Sequence, residues 1–122
     1  MEKIKILCYN VDESTVASLT SLASRLKISV ISVPIEDFGK PIAVVASGVS
    51  SEKNPLMCST IPEGMAVFVS VPDTMLDVLL SAMREKGIKI PLKAVLTPYN
   101  AVWDANTLYR ELARERKEMT GK

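Results

Sequence analysis

The sequence predicts an α/β fold, a four-stranded sheet flanked by helices. Two observations carry that expectation. Short β-branched runs alternate along the chain with longer segments whose apolar residues recur every three or four positions. Turn-forming residues separate nearly every such pair, giving the order β-α-β-(short helix)-β-α-β-α.

The first strand is read over 3–10, with Ile4, Ile6 and Cys8 on one face and Leu7 and Tyr9 on the other. Asp12 or Ser14 caps a helix reaching about Lys27, whose buried stripe is Val16, Leu19, Leu22, Ala23 and Leu26. Ile28 to Val33 is a second strand, closed by Pro34. Segment 35–64 is read as an irregular connection. Within it, Pro41 before Ile42-Ala43-Val44-Val45-Ala46 favours a short helix, and the chain from Gly48 to Gly64 reads as loop.

Met65 to Val71 is apolar on both faces except for Ser70 and predicts a central buried strand. Asp73 stands where a helix cap is expected, and the helix carries Leu76, Leu79, Leu80 and Met83 inward before Gly87 ends it. Pro91 to Thr97 predicts a strand with edge character, given Pro91 and Lys93. The last helix runs from about Asp104 to Met119, with Leu108, Leu112 and Met119 inside. A helical middle segment gives a parallel sheet ordered 2-1-3-4; otherwise the same units make a ferredoxin-like α+β sandwich with an added C-terminal helix. No internal repeat is read from the residues.

The chain of 122 residues suits one domain spanning 1–122, and its 48% hydrophobic share suffices for a core. Fifteen basic against fourteen acidic residues leave a net charge of +1, which disfavours a general grip on nucleic acid. Low net charge also permits self-association, so a homo-oligomer or a protein partner is the expected company. No apolar stretch approaches membrane-spanning length, the start is unlike a signal peptide, and two cysteines form no secreted framework. A cytoplasmic protein with reduced thiols is expected.

Catalytic signals are thin. Histidine is absent, which removes the commonest general base and metal ligand. Glycines at 39, 48, 64, 87 and 121 match no phosphate-binding spacing, and Gly48-Val49-Ser50 lacks the closing glycine of a nucleophile elbow. No cofactor and no metal are expected. An enzyme reading rests on Asp12 and Asp73 sharing one rim of a parallel sheet, or on the Cys58 thiol; helix capping accounts for the carboxylates more simply. The methionines and the lysines at 86, 89 and 93 are read as core packing, helix-dipole compensation and edge protection.

The most pointed segment is Thr97-Pro98-Tyr99-Asn100-Ala101-Val102-Trp103, which holds the single tryptophan just after a strand. With Tyr9 and Asn10 it forms the candidate ligand-binding set: Tyr9, Asn10, Thr97, Tyr99, Asn100 and Trp103. The set predicts a half-exposed Trp103 in a concavity with Asn100. The competing expectation is a turn made by Asn100 and a helix anchored by Trp103.

The same segment, from Lys93-Ala94-Val95-Leu96 to Asn100 and Trp103, together with Ile6-Leu7-Cys8-Tyr9-Asn10 and Phe38-Gly39-Lys40-Pro41-Ile42, resembles a bacterial family known as domain of unknown function 3783. Tyr99 departs from the family's pattern, where a threonine is expected. The resemblance implies a small stand-alone protein and brings no activity, ligand or catalytic residue. The function expected is therefore that of a non-catalytic regulatory or ligand- or protein-binding module.

Overall fold

The computed structural model describes residues 4–48 and 60–119. Its elements are β1 (Lys5–Tyr9), α1 (Glu13–Ser24), β2 (Ser29–Val33), α2 (Ile42–Ser47), β3 (Met65–Val69), α3 (Asp73–Glu85), β4 (Leu92–Val95) and α4 (Ala105–Met119), with a 3-10 turn at Ile35–Asp37. The middle segment is thus helical where Pro41 pointed.

The strands order as β2-β1-β3-β4. β1–β2 and β3–β4 are parallel, as expected of right-handed βαβ units. The central pair corrects the all-parallel expectation, because β1 and β3 run antiparallel, Lys5 facing Val69 and Tyr9 facing Met65. The ferredoxin-like alternative is also set aside, since the two strands of each unit pair directly instead of admitting a third between them. The segment joining β2 to β3 is long enough to permit either sense of β3, and no crossover rule constrains a connection of that length.

Alternation along the strands divides the core into two layers. Leu7, Tyr9, Met65, Val67 and Leu92 face α2 and α4, where Phe38, Ile42, Ala46, Ala105 and Leu108 complete one cluster. Ile6, Cys8, Ala66 and Phe68 face α1 and α3, meeting Leu19, Ala23, Leu79 and Met83.

The antiparallel centre relates the halves by a pseudo-two-fold axis through the Leu7–Val67 pair. Residues sixty positions apart play one role at several points. Asn10 and Ser70 leave their strands in the left-handed region, at φ 57° and 61°. Leu19 and Ala23 in α1, and Leu79 and Met83 in α3, are the buried residues of their helices. Lys27 and Gly87 end those helices at φ 59° and 71°. Ile28 and Ile88 then donate to the carbonyls of Ala23 and Met83 at 3.0 and 2.9 Å, which completes a Schellman motif in each half. The sequence hides this duplication because the two halves share backbone geometry while their side chains differ. They diverge after Ile88, where Lys89-Ile90-Pro91 delays β4 by three residues relative to β2.

The helix starts differ in how they satisfy their amides. Asp12 caps α1, accepting from Thr15 N at 3.1 Å. Asp73 is not a cap: it lies inside α3, behind Pro72, and makes no capping bond. Its carboxylate sits in the first turn, where the helix dipole favours it. At α2, Ile42 N and Ala43 N donate to the carbonyls of Trp103 and Ala101 at 2.9 and 3.0 Å.

The paired helix ends give a test. A Cβ on Gly87 would meet no atom within 4 Å, so Gly87→Ala carries only the backbone cost of the left-handed conformation, about 1 kcal/mol. Lys27→Ala already has that Cβ and is expected to change stability by less than about 0.5 kcal/mol. Urea melts of the two variants check this, and equal losses would mean the two ends are not equivalent.

Candidate functional site

The antiparallel centre divides the six sequence-derived candidates between opposite ends of the sheet. Tyr9 and Asn10 leave β1 beside Met65, the start of β3. Thr97, Tyr99, Asn100 and Trp103 follow β4, which runs parallel to β3 and finishes at the other end. Asp12 and Asp73 are separated for the same reason and share no rim.

Each candidate except Tyr99 has a local duty. Tyr9 is fully buried, its ring edge-on to Phe38 with centroids 5.2 Å apart. Burial, reinforced by the Asp37 carboxylate, pushes its phenol up from the usual tyrosine range. Asn10 donates from Nδ2 to the Ile61 carbonyl at 2.7 Å, tying the strand end to the approach of β3. Asn100 is 8% exposed and points inward. Its Oδ1 accepts from Thr97 N at 2.9 Å, its Nδ2 donates to the Val95 carbonyl at 3.1 Å, and its own N donates to Thr97 Oγ1 at 3.2 Å. That is a closed Asx-type turn, and it spends the amide that a ligand would need. Trp103 is half-buried against the α2–α4 core layer, while Tyr99 is 84% exposed. A cavity of about 830 Å³ at this end reaches Thr97 with Lys5, Ala46 and Ser70, but Tyr99, Asn100 and Trp103 do not line it. The turn-and-anchor expectation accounts for these residues.

The residues of the enzyme reading fare similarly. Asp12 accepts from Ser14 Oγ at 2.5 Å and from Thr15 Oγ1 at 2.7 Å, as well as from the Thr15 amide. Those bonds hold its carboxyl down at about 2, so it is ionised and engaged in capping. Cys8 is 1% exposed, and burial pushes its thiol up to about 11. Cys58 lies outside the described residues, as do Val49 and Ser50. Among the described residues no three acidic or thiol side chains gather as a metal site would require, and no helix is long and apolar enough to cross a membrane.

The Cys8 environment gives a direct expectation. In a Cys58→Ser variant at neutral pH, a disulfide reagent should find no thiol in the native protein and one thiol in urea, because only the exposed thiolate attacks. A rapid native reaction would refute the burial account.

The opening that stands out is elsewhere. Between α3 and β4 lies an apolar groove of about 740 Å³. Phe68, Leu76, Leu80 and Met83 form one side, and Ile88, Ile90, Pro91 and Val95 the other. Arg84, Lys89 and Lys93 stand exposed around it, and no carboxylate lines it. Lys93 Nζ is steadied by the Ile90 carbonyl at 3.0 Å. The groove exists because β4 is an edge strand, covered by α4 on one face. On its other face α3 packs over the inner strands, which leaves Val95 41% exposed.

Sequence reasoning saw these parts without joining them. Leu76, Leu80 and Met83 read as a core stripe, and Lys89 and Lys93 as dipole and edge lysines. The available signal was the width of the apolar stripe on α3, broader than the two fully covered residues, Leu79 and Met83, require.

A clamp fastens α4 to the chain that leads into β3. Arg116 Nη2 meets Glu63 Oε2 at 2.6 Å, and Tyr109 Oη donates to the same oxygen at 3.2 Å. The Arg116 guanidinium holds the Glu63 carboxyl below the usual glutamate range, while the solvent around the pair keeps its worth small.

Residues 65–119 match the model of a family described as domain of unknown function (DUF3783), so the resemblance holds over β3, α3, β4 and α4. The Lys93–Asn100 run and Trp103 fall inside this match; Ile6–Asn10 and Phe38–Ile42 fall outside it, so it covers the second half of the chain instead of most of it. No curated protein and no solved structure matches the chain.

Proposed function

We propose that this chain is a non-catalytic binding module whose ligand surface is the groove between α3 and β4. The observation that carries this reading is an apolar trough of about 740 Å³, of the size small-molecule sites have, left open beside a covered core. Exposed apolar surface of this kind is retained against a solubility cost, and binding is the usual return. All of its lining residues fall within the family-matched segment. Asp12 is engaged in capping, and Asp73 lies in the first turn of α3 at the other end of the sheet, which leaves the two carboxylates poorly placed for shared chemistry. On this reading the module serves a regulatory or carrier role in the cytoplasm, and no covalent step occurs on it.

The test uses methionine labelled with ¹³C at the methyl group. Met83 lines the groove, whereas Met65 is buried on the opposite face of the sheet. Titration with decanol is expected to move the Met83 resonance and leave Met65 in place. A Met83 signal that stays fixed up to the solubility limit of decanol would overturn the reading.

A further inference from the structure

The pseudo-two-fold provides a control for the groove within the molecule. The first half has the same β-α-β frame, so its residues show what the frame alone requires. Sixty positions before Phe68, Leu80, Met83 and Arg84 stand Cys8, Thr20, Ala23 and Ser24, and Lys89 lies in the three-residue stretch without a counterpart in the first half. There the hydroxyls of Thr20 and Ser24 turn back to the carbonyls of Val16 and Ser21 in their own helix, at 2.7 and 2.9 Å. The first half is therefore small and neutral at positions where the second is large, apolar and cationic. The first half closes the same frame without a leucine or an arginine at these positions, although Leu80 packs against the α1–α3 layer and Arg84 lies in the last turn of α3.

Two properties were added together in the second half: apolar volume, and positive charge around its mouth. Three cations facing one trough with no carboxylate in its lining create a local field, although the whole chain carries only +1. We infer that the groove takes a free single-chain amphipathic anion, a medium- or long-chain carboxylate with its chain against Phe68, Leu80 and Met83 and its head among Arg84, Lys89 and Lys93. Charge complementarity selects an anion over a cation or a neutral chain. The size of the trough, enough for one such chain, selects a single molecule over a membrane surface, which calls for a broad basic face. Long basic side chains suit this task, because their stems lie along apolar surface while their heads stay in water.

The inference rests on the binding reading above, and the experiment separates the two. Decanoate, decanol and decyltrimethylammonium are titrated, each below its micelle concentration, against the wild type and an Arg84→Gln/Lys89→Gln/Lys93→Gln variant. All three substituted positions are exposed, so the fold is expected to persist. Decanoate should move Met83 with about tenfold higher affinity than decanol, and the triple variant should erase that advantage while leaving decanol unchanged. Equal affinity for the three probes, or a decanoate preference that survives the triple variant, would overturn the anion assignment while the groove reading stands. Capture of the protein by anionic phospholipid vesicles without decanoate binding would also overturn it. Failure of every probe to move Met83 would remove the groove reading itself.

Discussion

Phe68→Ala is expected to cost about 3–5 kcal/mol of stability, the largest loss for any single truncation considered for this chain. Phe68 is 1% exposed in a central strand and belongs to the layer that joins β1 and β3 to α1 and α3. Truncation removes the transfer energy of the ring and leaves a void, because helices packed on both sides of a sheet cannot collapse far into it. The position also borders the groove, so the void would open into the trough. Phe68→Leu, which retains most of the volume, should cost about 1 kcal/mol. Urea denaturation of both variants with unchanged m-values checks the pair. A loss below about 1 kcal/mol for Phe68→Ala would mean that the layer is packed more loosely than the burial of its residues indicates.

The second large effect falls on Asn100. Asn100→Ala is expected to cost about 2–3 kcal/mol, because two backbone groups lose their partners at once, the Thr97 amide and the Val95 carbonyl. Asn100→Asp retains the acceptor toward Thr97 but sets a negative oxygen against the Val95 carbonyl, so it should cost at least as much. If Asn100 instead served a ligand, both changes would leave thermal stability nearly untouched and alter binding alone. Thermal melts of the two variants therefore distinguish the turn role from the ligand role that the sequence also allowed. The expected results are a lower melting temperature and unchanged binding of decanol at Met83.

Much of the fold was legible in the residues. The 3–4 spacing of Val16, Leu19, Leu22 and Ala23 places a buried stripe on α1 whatever the strands do, and Leu19 and Ala23 are its fully covered members. Pro41 before a small apolar run, and Gly87 after Met83, mark helix boundaries through φ restrictions that act within a single turn. The alternation of Ile6 and Cys8 against Leu7 and Tyr9 sorts them correctly into two core layers. The candidate site was far less legible. Aromatic and amide residues at 97–103 have the composition of a pocket, yet here they build a turn, an anchor for α4 and the carbonyl caps of α2. Composition cannot tell these uses apart, because a hydrogen bond to the chain's own backbone and one to a ligand require the same group. The groove had the opposite difficulty, since a leucine beside a shallow trough and a leucine beneath a helix contribute identical letters.

By itself the sequence determined the kind, order and buried faces of most elements, which follow from local periodicity. The neighbours of each strand stayed open between the 2-1-3-4 sheet and the ferredoxin-like alternative until the structure showed direct pairing within each unit. Only the tertiary structure decided the sense of β3 against β1. The chain between β2 and β3 is long enough to permit either direction, so the choice falls to packing between layers. That one choice sent Tyr9 and Thr97 to opposite ends of the sheet, set the two halves about a two-fold axis, and left β4 as the edge beside which the groove opens.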